Sequence, residues 1–161
     1  DRNLGHFVAK QVPEKKFFFN DGFCPIHEYM DAEDLKQLQT EHPGAPILAH
    51  PECPESIRLA ADYVGSTSGI LKRAETGPEA EYIIATERGV LHQLQKRSPN
   101  KKFFFAGYAP SCMNMKMNTP EKILHVLRTG EHSVSIPEKL QNNARQTLIR
   151  MLELTDQEAN S

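Results

Sequence analysis

An α/β fold built on a short parallel sheet is predicted by three features of this 161-residue sequence. Short apolar runs alternate with longer amphipathic stretches, the runs are bounded by Pro, Gly or polar residues, and helix-capping signals fall between them. Lys16–Phe19, Ala45–Ala49, Glu81–Thr86 and Lys102–Phe105 read as strands of the buried parallel kind. Asp31–Glu41 reads as a helix capped by Asp31 and carrying Leu35 and Leu38, and Pro54–Ala61 as a helix with Pro54 at its first position. Asp62–Val64 is a short extended piece, followed by a helical stretch over Ile70–Arg73. Gly89–Arg97 sets Val90, Leu91 and Leu94 on one face. Thr119–Thr129 has Thr119 as N-cap, Pro120 next and Gly130 as its stop. Pro137–Leu154 reads as one long or two short helices with Leu148, Ile149 and Leu152 as an apolar edge, and Asp156–Ser161 as a polar tail. The strand, helix, strand order implies βαβ units with right-handed crossovers.

Composition narrows the partners. Nineteen Lys and Arg against 21 Asp and Glu leave a net charge of −2, so no global field recommends nucleic acid or an anionic membrane. No apolar run approaches the roughly 20 residues that span a bilayer, and the N-terminus lacks signal-peptide order, so a cytoplasmic location is expected. Three cysteines at wide spacing argue for free thiols, some of them ligating metal, rather than for a disulfide framework. The sequence begins at Asp1, which suggests a processed chain or a piece of a longer one.

A repeat is visible. Lys15–Phe19 recurs as Lys101–Phe105, each copy follows a helix and a proline (Pro13, Pro99), and each leads through a Gly-aromatic loop to a cysteine, Cys24 or Cys112. Six of the eight phenylalanines lie in these runs, which makes them candidates for core rather than for a ligand platform. Duplication of an αβ unit of roughly 85 to 90 residues is the economical reading.

In open α/β sheets the ligand crevice lies beyond the carboxyl ends of the strands. The loops there carry every cysteine and two histidines: Gly22–His27, His50–Pro54, and Gly107 through Met115. His50 and Glu52, two residues apart across a proline, can share one crevice as acid and base, or form a salt-bridged loop pair. Gly65–Gly69 leaves backbone N–H groups and hydroxyls at a helix start, fit for a phosphate or carboxylate, with a simple Ser/Thr N-cap as the other reading. Met113, Met115 and Met117 alternate after Cys112 and read as gap-filling core before soft-metal ligands. His42, His92, His125 and His132 fall within or beside helices, where surface or helix-end roles are expected.

Asp1–Gly5, Gly22–His27, His50–Pro54, Asp62–Thr67, Thr86–Gly89 and Cys112–Asn118 resemble, in order, motifs of the quinolinate synthase family, over essentially the whole chain but only the C-terminal half of that family's length. The resemblance implies repeated αβα units around a pseudo-threefold axis, with residues 1–24 ending a preceding unit, 25–112 forming a complete unit, and 113–161 a C-terminal helical segment. It implies condensation of iminoaspartate with dihydroxyacetone phosphate to quinolinate in de novo NAD biosynthesis. A [4Fe–4S] cluster, held by one cysteine per domain, would leave one iron open as Lewis acid. Carried over residue by residue, Cys24 and Cys112 match cluster ligands, and His50, Glu52 and His27 match active-site positions. Ser66 and Thr67 match the substrate anion-binding turn. Cys53 falls where the family has no cluster ligand.

The first cluster cysteine has no counterpart in this sequence, which leads to the expectation of a C-terminal fragment or split-enzyme half, inactive alone. Its partner would be the missing N-terminal half, or an oxidase that produces iminoaspartate. Two other classes stay open. One is a zinc-dependent hydrolase or lyase using Cys24, His27 and His50, although these spacings match no closed zinc pattern. The other is a non-catalytic half that supplies surface to a partner chain.

Overall fold

The computed structural model describes residues 1–107 and 110–159, which divide into two compact units, Asp1–Lys116 and Met117–Ser161. The first unit opens with α1 (Arg2–Gln11), whose N-cap Asp1 accepts from the Leu4 amide, then α2 (Pro25–Glu28) and α3 (Ala32–Glu41). There follow β1 (Ile47–Ala49), α4 (Glu55–Ala60), β2 (Tyr63–Val64), α5 (Thr67–Thr76) and β3 (Glu81–Ala85). A 3-10 turn over Arg88–Val90 leads into α6 (Leu91–Arg97), β4 (Lys102–Phe105) and α7 (Met113–Lys116). The second unit holds α8 (Pro120–Thr129) and α9 (Glu138–Ala159).

The four strands form one parallel sheet in the order β2-β1-β3-β4, as the α/β reading requires. Ile47, Leu48 and Ala49 pair with Ile83, Ile84 and Ala85, so the two central strands are apolar on both faces. On one face Ile47, Ala49, Ile83 and Ala85 pack with Leu35 of α3 and Ile57 of α4. On the other, Leu48, Tyr82 and Ile84 pack with Ile70, Leu71 and Ala74 of α5 and Leu94 of α6. Helices therefore cover both faces, the arrangement that right-handed crossovers produce. The connection from β1 runs outward to β2 while that from β3 runs outward to β4, so the strand order reverses between β1 and β3. A crevice opens beyond the ends of strands at such a reversal.

Several local expectations are corrected. Lys16–Phe19 is not a strand. β4 is built into the sheet by pairing with β3, and no strand of the described residues pairs with the first Phe run. Phe18 is 85% exposed there, whereas Phe103, Phe104 and Phe105 pack against the core. Pro54 caps α4 rather than opening it. Met113, Met115 and Met117 are exposed, not core. The C-terminal segment is one helix that runs to Ala159, through most of the stretch read as a polar tail; positions 160 and 161, like 108 and 109 in the loop before Cys112, lie outside the described residues. Capping signals hold where local chemistry suffices. The Thr119 side chain accepts from the Lys122 amide, and Gly130 ends α8 at φ 68°, a conformation that costs glycine little.

One ion pair on the first unit makes stability pH-dependent. Arg73 donates to both Glu79 carboxylate oxygens at 2.9 and 3.1 Å, and the Tyr82 hydroxyl donates to Glu79 at 2.6 Å. The Arg73 bonds first, then that of Tyr82, hold the Glu79 carboxyl down at about 2. Because the folded value lies below the ordinary carboxylate value of about 4.3, the contribution is full above that pH and is lost as pH falls toward the folded value. Glu79→Gln is expected to flatten the acid side of the stability profile between about pH 4 and pH 2. Urea midpoints measured across that range check it, and an unchanged slope would contradict it.

Candidate active site

The crevice at the β1/β3 reversal is a cleft of about 510 Å³ lined by Cys24, His27, His50, Glu52, Thr67, Thr86, Glu87 and Cys112, among others. The side chains arrive on loops after the strands and on the first turns of short helices. His50 directly follows β1, and its amide donates to the Ala85 carbonyl at the end of β3. Cys24 is the residue before α2, and its amide donates to Asp1 at 2.8 Å. Cys112 stands in the same relation to α7, with its amide donating to Glu87 at 3.1 Å. The two cysteines of the sequence repeat thus occupy equivalent local positions, each just ahead of a one-turn helix, and both are half-buried.

Three side chains form the centre. His27 on α2 is buried, with its side chain 8% exposed, and its Nε2 lies 3.0 Å from Thr86 Oγ1. Its Nδ1 lies 3.0 Å from Glu52 Oε2, but off the line that a hydrogen bond requires, so this buried nitrogen has no hydrogen-bond partner. The contact is therefore one of proximity between imidazole and carboxylate. Glu52 Oε2 also lies 3.9 Å from His50 Nδ1, and the rings of His27 and His50 stack with centroids 4.7 Å apart. Burial pushes the His27 pKa down and the neighbouring His50 adds to this, with Glu52 opposing both. Burial likewise lowers His50, again opposed by Glu52. A carboxylate set between two imidazoles that favour the neutral form is an arrangement able to take up and release protons.

The expected site residues divide cleanly. Cys24, Cys112, His27, His50, Glu52 and Thr67 line the cleft. Ser66 instead caps α5, its hydroxyl accepting from the Gly69 amide at 3.2 Å, and so realises the simple N-cap reading. Cys53 is fully buried, its thiol within 3.3 Å of the Ala85 carbonyl and 3.7 Å of the Met30 sulfur. Burial pushes this thiol up to about 12, which makes it a small core side chain. Glu52 rather than His50 joins Cys24 and His27, the ligand atoms of these three lying within 4.8 Å of one another.

Thr86 and Glu87 were not among the expected site residues. Both follow β3, and the rule that directs attention to the ends of strands covers that loop too. Thr86 holds His27, while Glu87 accepts from the Cys112 and Gly89 amides and lies 3.8 Å from Lys116 Nζ. Neither carries a cysteine or histidine signal of its own.

The site can now be set beside known proteins. Residues 1–153 match the family described as quinolinate synthetase A protein. Among curated relatives, a quinolinate synthase of Clostridioides difficile is 40% identical over 156 residues, covering 97% of this chain and 51% of the relative. One from Caldicellulosiruptor saccharolyticus is 44% identical over 96% of this chain and 51% of the relative, and quinolinate synthase 2 of Methanosarcina acetivorans is 39% identical over 96% and 50%. The chain spans about half the length of the curated relatives it matches. With the family match running through almost the entire sequence and Cys24, Cys112, His27, His50 and Glu52 of its motifs gathered in one cleft, the chain belongs to the quinolinate synthetase A protein family.

Proposed function

We propose that this chain contributes part of an active site that condenses iminoaspartate with dihydroxyacetone phosphate to quinolinate in de novo NAD biosynthesis. The observation that carries this reading is the arrival of Cys24 and Cys112 in the same cleft as His27, His50 and Glu52. On this reading residues 1–24 end one αβ unit, 25–112 form a whole unit and 113–161 a C-terminal helical segment.

The donor set fits part of a [4Fe–4S] site. Two half-buried thiols open on the cleft, while the third cysteine is turned into the core. Cys24 and Cys112 would hold the cluster, with a third thiolate from outside these residues. When bound, it would supply an open iron as Lewis acid toward a substrate oxygen or nitrogen. Glu52, flanked by His27 and His50, exchanges protons with the substrate during condensation and loss of water. Thr86 fixes the His27 ring, and Glu87 fixes the backbone of the Cys112 loop. Thr67 lies at the first turn of α5, where its position suits a substrate carboxylate or phosphate. Ser66 acts there through the cap that holds the turn. Supply of iminoaspartate falls to a separate oxidase.

The test is anaerobic reconstitution with iron and sulfide. The isolated 161 residues are expected to make no quinolinate. Joined to the half of the Clostridioides difficile enzyme that they do not match, they are expected to take up a [4Fe–4S] cluster and make quinolinate, with both abolished by Cys24→Ser or Cys112→Ser. A folded, cluster-bearing chimera without quinolinate would overturn the activity. Quinolinate production by the isolated chain would overturn its incompleteness.

A further inference from the structure

Asp1, Arg2 and Asn3 at the start of α1 are not part of the cleft wall, yet each of their side chains ends on a segment that carries a site residue. Asp1 accepts from the Cys24 amide at 2.8 Å. Arg2 Nη2 and Asn3 Nδ2 each donate to Glu28 at 2.6 Å, one to each carboxylate oxygen, and Glu28 directly follows His27 on α2. The same Asn3 nitrogen donates to the Glu52 carbonyl at 3.1 Å. Arg58 Nη1 on α4 lies 2.9 Å from the Asn3 carbonyl oxygen, 3.1 Å from that of Pro51 and 2.8 Å from that of Cys53.

The carbonyls of Pro51, Glu52 and Cys53 lie past the end of β1, where side chains rather than a neighbouring strand meet them. Pro51 and Pro54 offer this loop no N–H of their own. A primary amide carries two N–H groups on one nitrogen, so Asn3 can hold a carboxylate and a carbonyl at once, whereas a carboxylate in its place could donate to neither.

We propose that Asn3 is a positioning residue for the active site: its amide ties α2, which carries His27, to the loop of Glu52, and so sets the 3.0 Å approach of Glu52 Oε2 to His27 Nδ1. No hydrogen bond joins His27 Nδ1 to Glu52, so their spacing depends on the backbones that carry them. Asn3 holds both backbones, and Arg58 gathers the Asn3 carbonyl into the same anchor. The inference rests on the reading of Glu52 as the carboxylate that exchanges protons with substrate, for which a misplacement of about 1 Å costs about 10²-fold in rate.

Hydrogen exchange of the reduced 161-residue chain reads the tie without any reaction. Asn3→Ala is expected to speed exchange by about tenfold at the Cys53 amide of the loop and at the Glu28 and Tyr29 amides of α2, with the amides of β1 and β3 unchanged. In the cluster-bearing chimera with the Clostridioides difficile half, the same variant is expected to lower kcat by about 10- to 100-fold with KM within about threefold. Asn3→Asp sets two carboxylates face to face, and adding Glu28→Gln reverses the direction of the α1–α2 bond while still offering the Glu52 carbonyl no donor. The double variant is therefore expected to recover the urea midpoint lost by Asn3→Asp but not its kcat. Recovery of kcat together with stability would reduce Asn3 to an anchor of α1 and overturn the proposal. So would exchange at Cys53 that Asn3→Ala leaves unchanged. If the unaltered chimera bears its cluster and makes no quinolinate, the activity falls, and the exchange rates still decide whether Asn3 ties the two segments.

Discussion

Ile83→Ala is expected to remove about 2 to 5 kcal/mol of folding stability. Ile83 is fully buried on β3, which pairs with β1 on one side and β4 on the other. Its side chain packs with Ile47, Ala49 and Ile57, between the sheet and the α3 and α4 layer. A cavity opened there has hydrogen-bonded strands along both flanks, so the surroundings collapse only partly and the loss is that of the transferred methyl groups plus the void. Against a total stability of about 5 to 15 kcal/mol for a domain, that is a large share. Urea denaturation should show a lower midpoint at unchanged slope, while Leu59→Ala on exposed α4 surface should shift stability by less than about 0.5 kcal/mol. A loss from Ile83→Ala below about 1 kcal/mol would mean that the sheet is not the packed centre described above.

On the proposed activity, Glu52→Gln is expected to lower kcat of the chimera with the Clostridioides difficile half by about 10² to 10⁴, with a much smaller change in KM. The amide keeps the size and reach of the carboxylate but can neither take up a proton nor carry its charge. Glu52 Oε2 sits 3.0 Å from His27 Nδ1 and 3.9 Å from His50 Nδ1, so its charge is the main force opposing the burial that keeps both imidazoles neutral. Removing it withdraws the proton acceptor and deepens the neutral state of its two neighbours together. Steady-state kinetics with iminoaspartate and dihydroxyacetone phosphate check this. A variant within threefold of the parent rate would remove Glu52 from the proton-transfer role.

Much of the fold was legible because the signals are local. Asp31, Thr119 and Gly130 cap their helices wherever these lie in space, since a cap needs only the next few residues. The apolar triplets of β1 and β3 are buried on both faces, which period and composition announce. The first Phe run misled for the opposite reason. Lys15–Phe19 and Lys101–Phe105 share a sequence, but a strand exists only where another strand offers hydrogen-bonding groups, and among the described residues only the second copy has such a neighbour. The exposed Met113, Met115 and Met117 show the same limit, since an apolar pattern states what could be buried and not against what.

The candidate site was legible in its residue types and not in its grouping. The motifs singled out Cys24, His27, His50, Glu52, Ser66, Thr67 and Cys112, because thiols, imidazoles and a carboxylate on loops at strand ends, and hydroxyls at a helix start, carry chemistry whatever their exact placement; all of these but Ser66 line the cleft. Only the tertiary structure decided how they combine. Pairing of β1 with β3 brings the loop of His50 and Glu52 beside that of Thr86 and Glu87, residues far apart in sequence. It places Glu52 rather than His50 with Cys24 and His27, spends the Ser66 hydroxyl on a helix cap, and buries Cys53 in the core. The sequence by itself determined an α/β chain of one family with cysteine- and histidine-bearing loops at its strand ends. Which side chains meet in the cleft, and that the buried Nδ1 of His27 faces Glu52 without a hydrogen bond, depends on distances that arise only when the strands align.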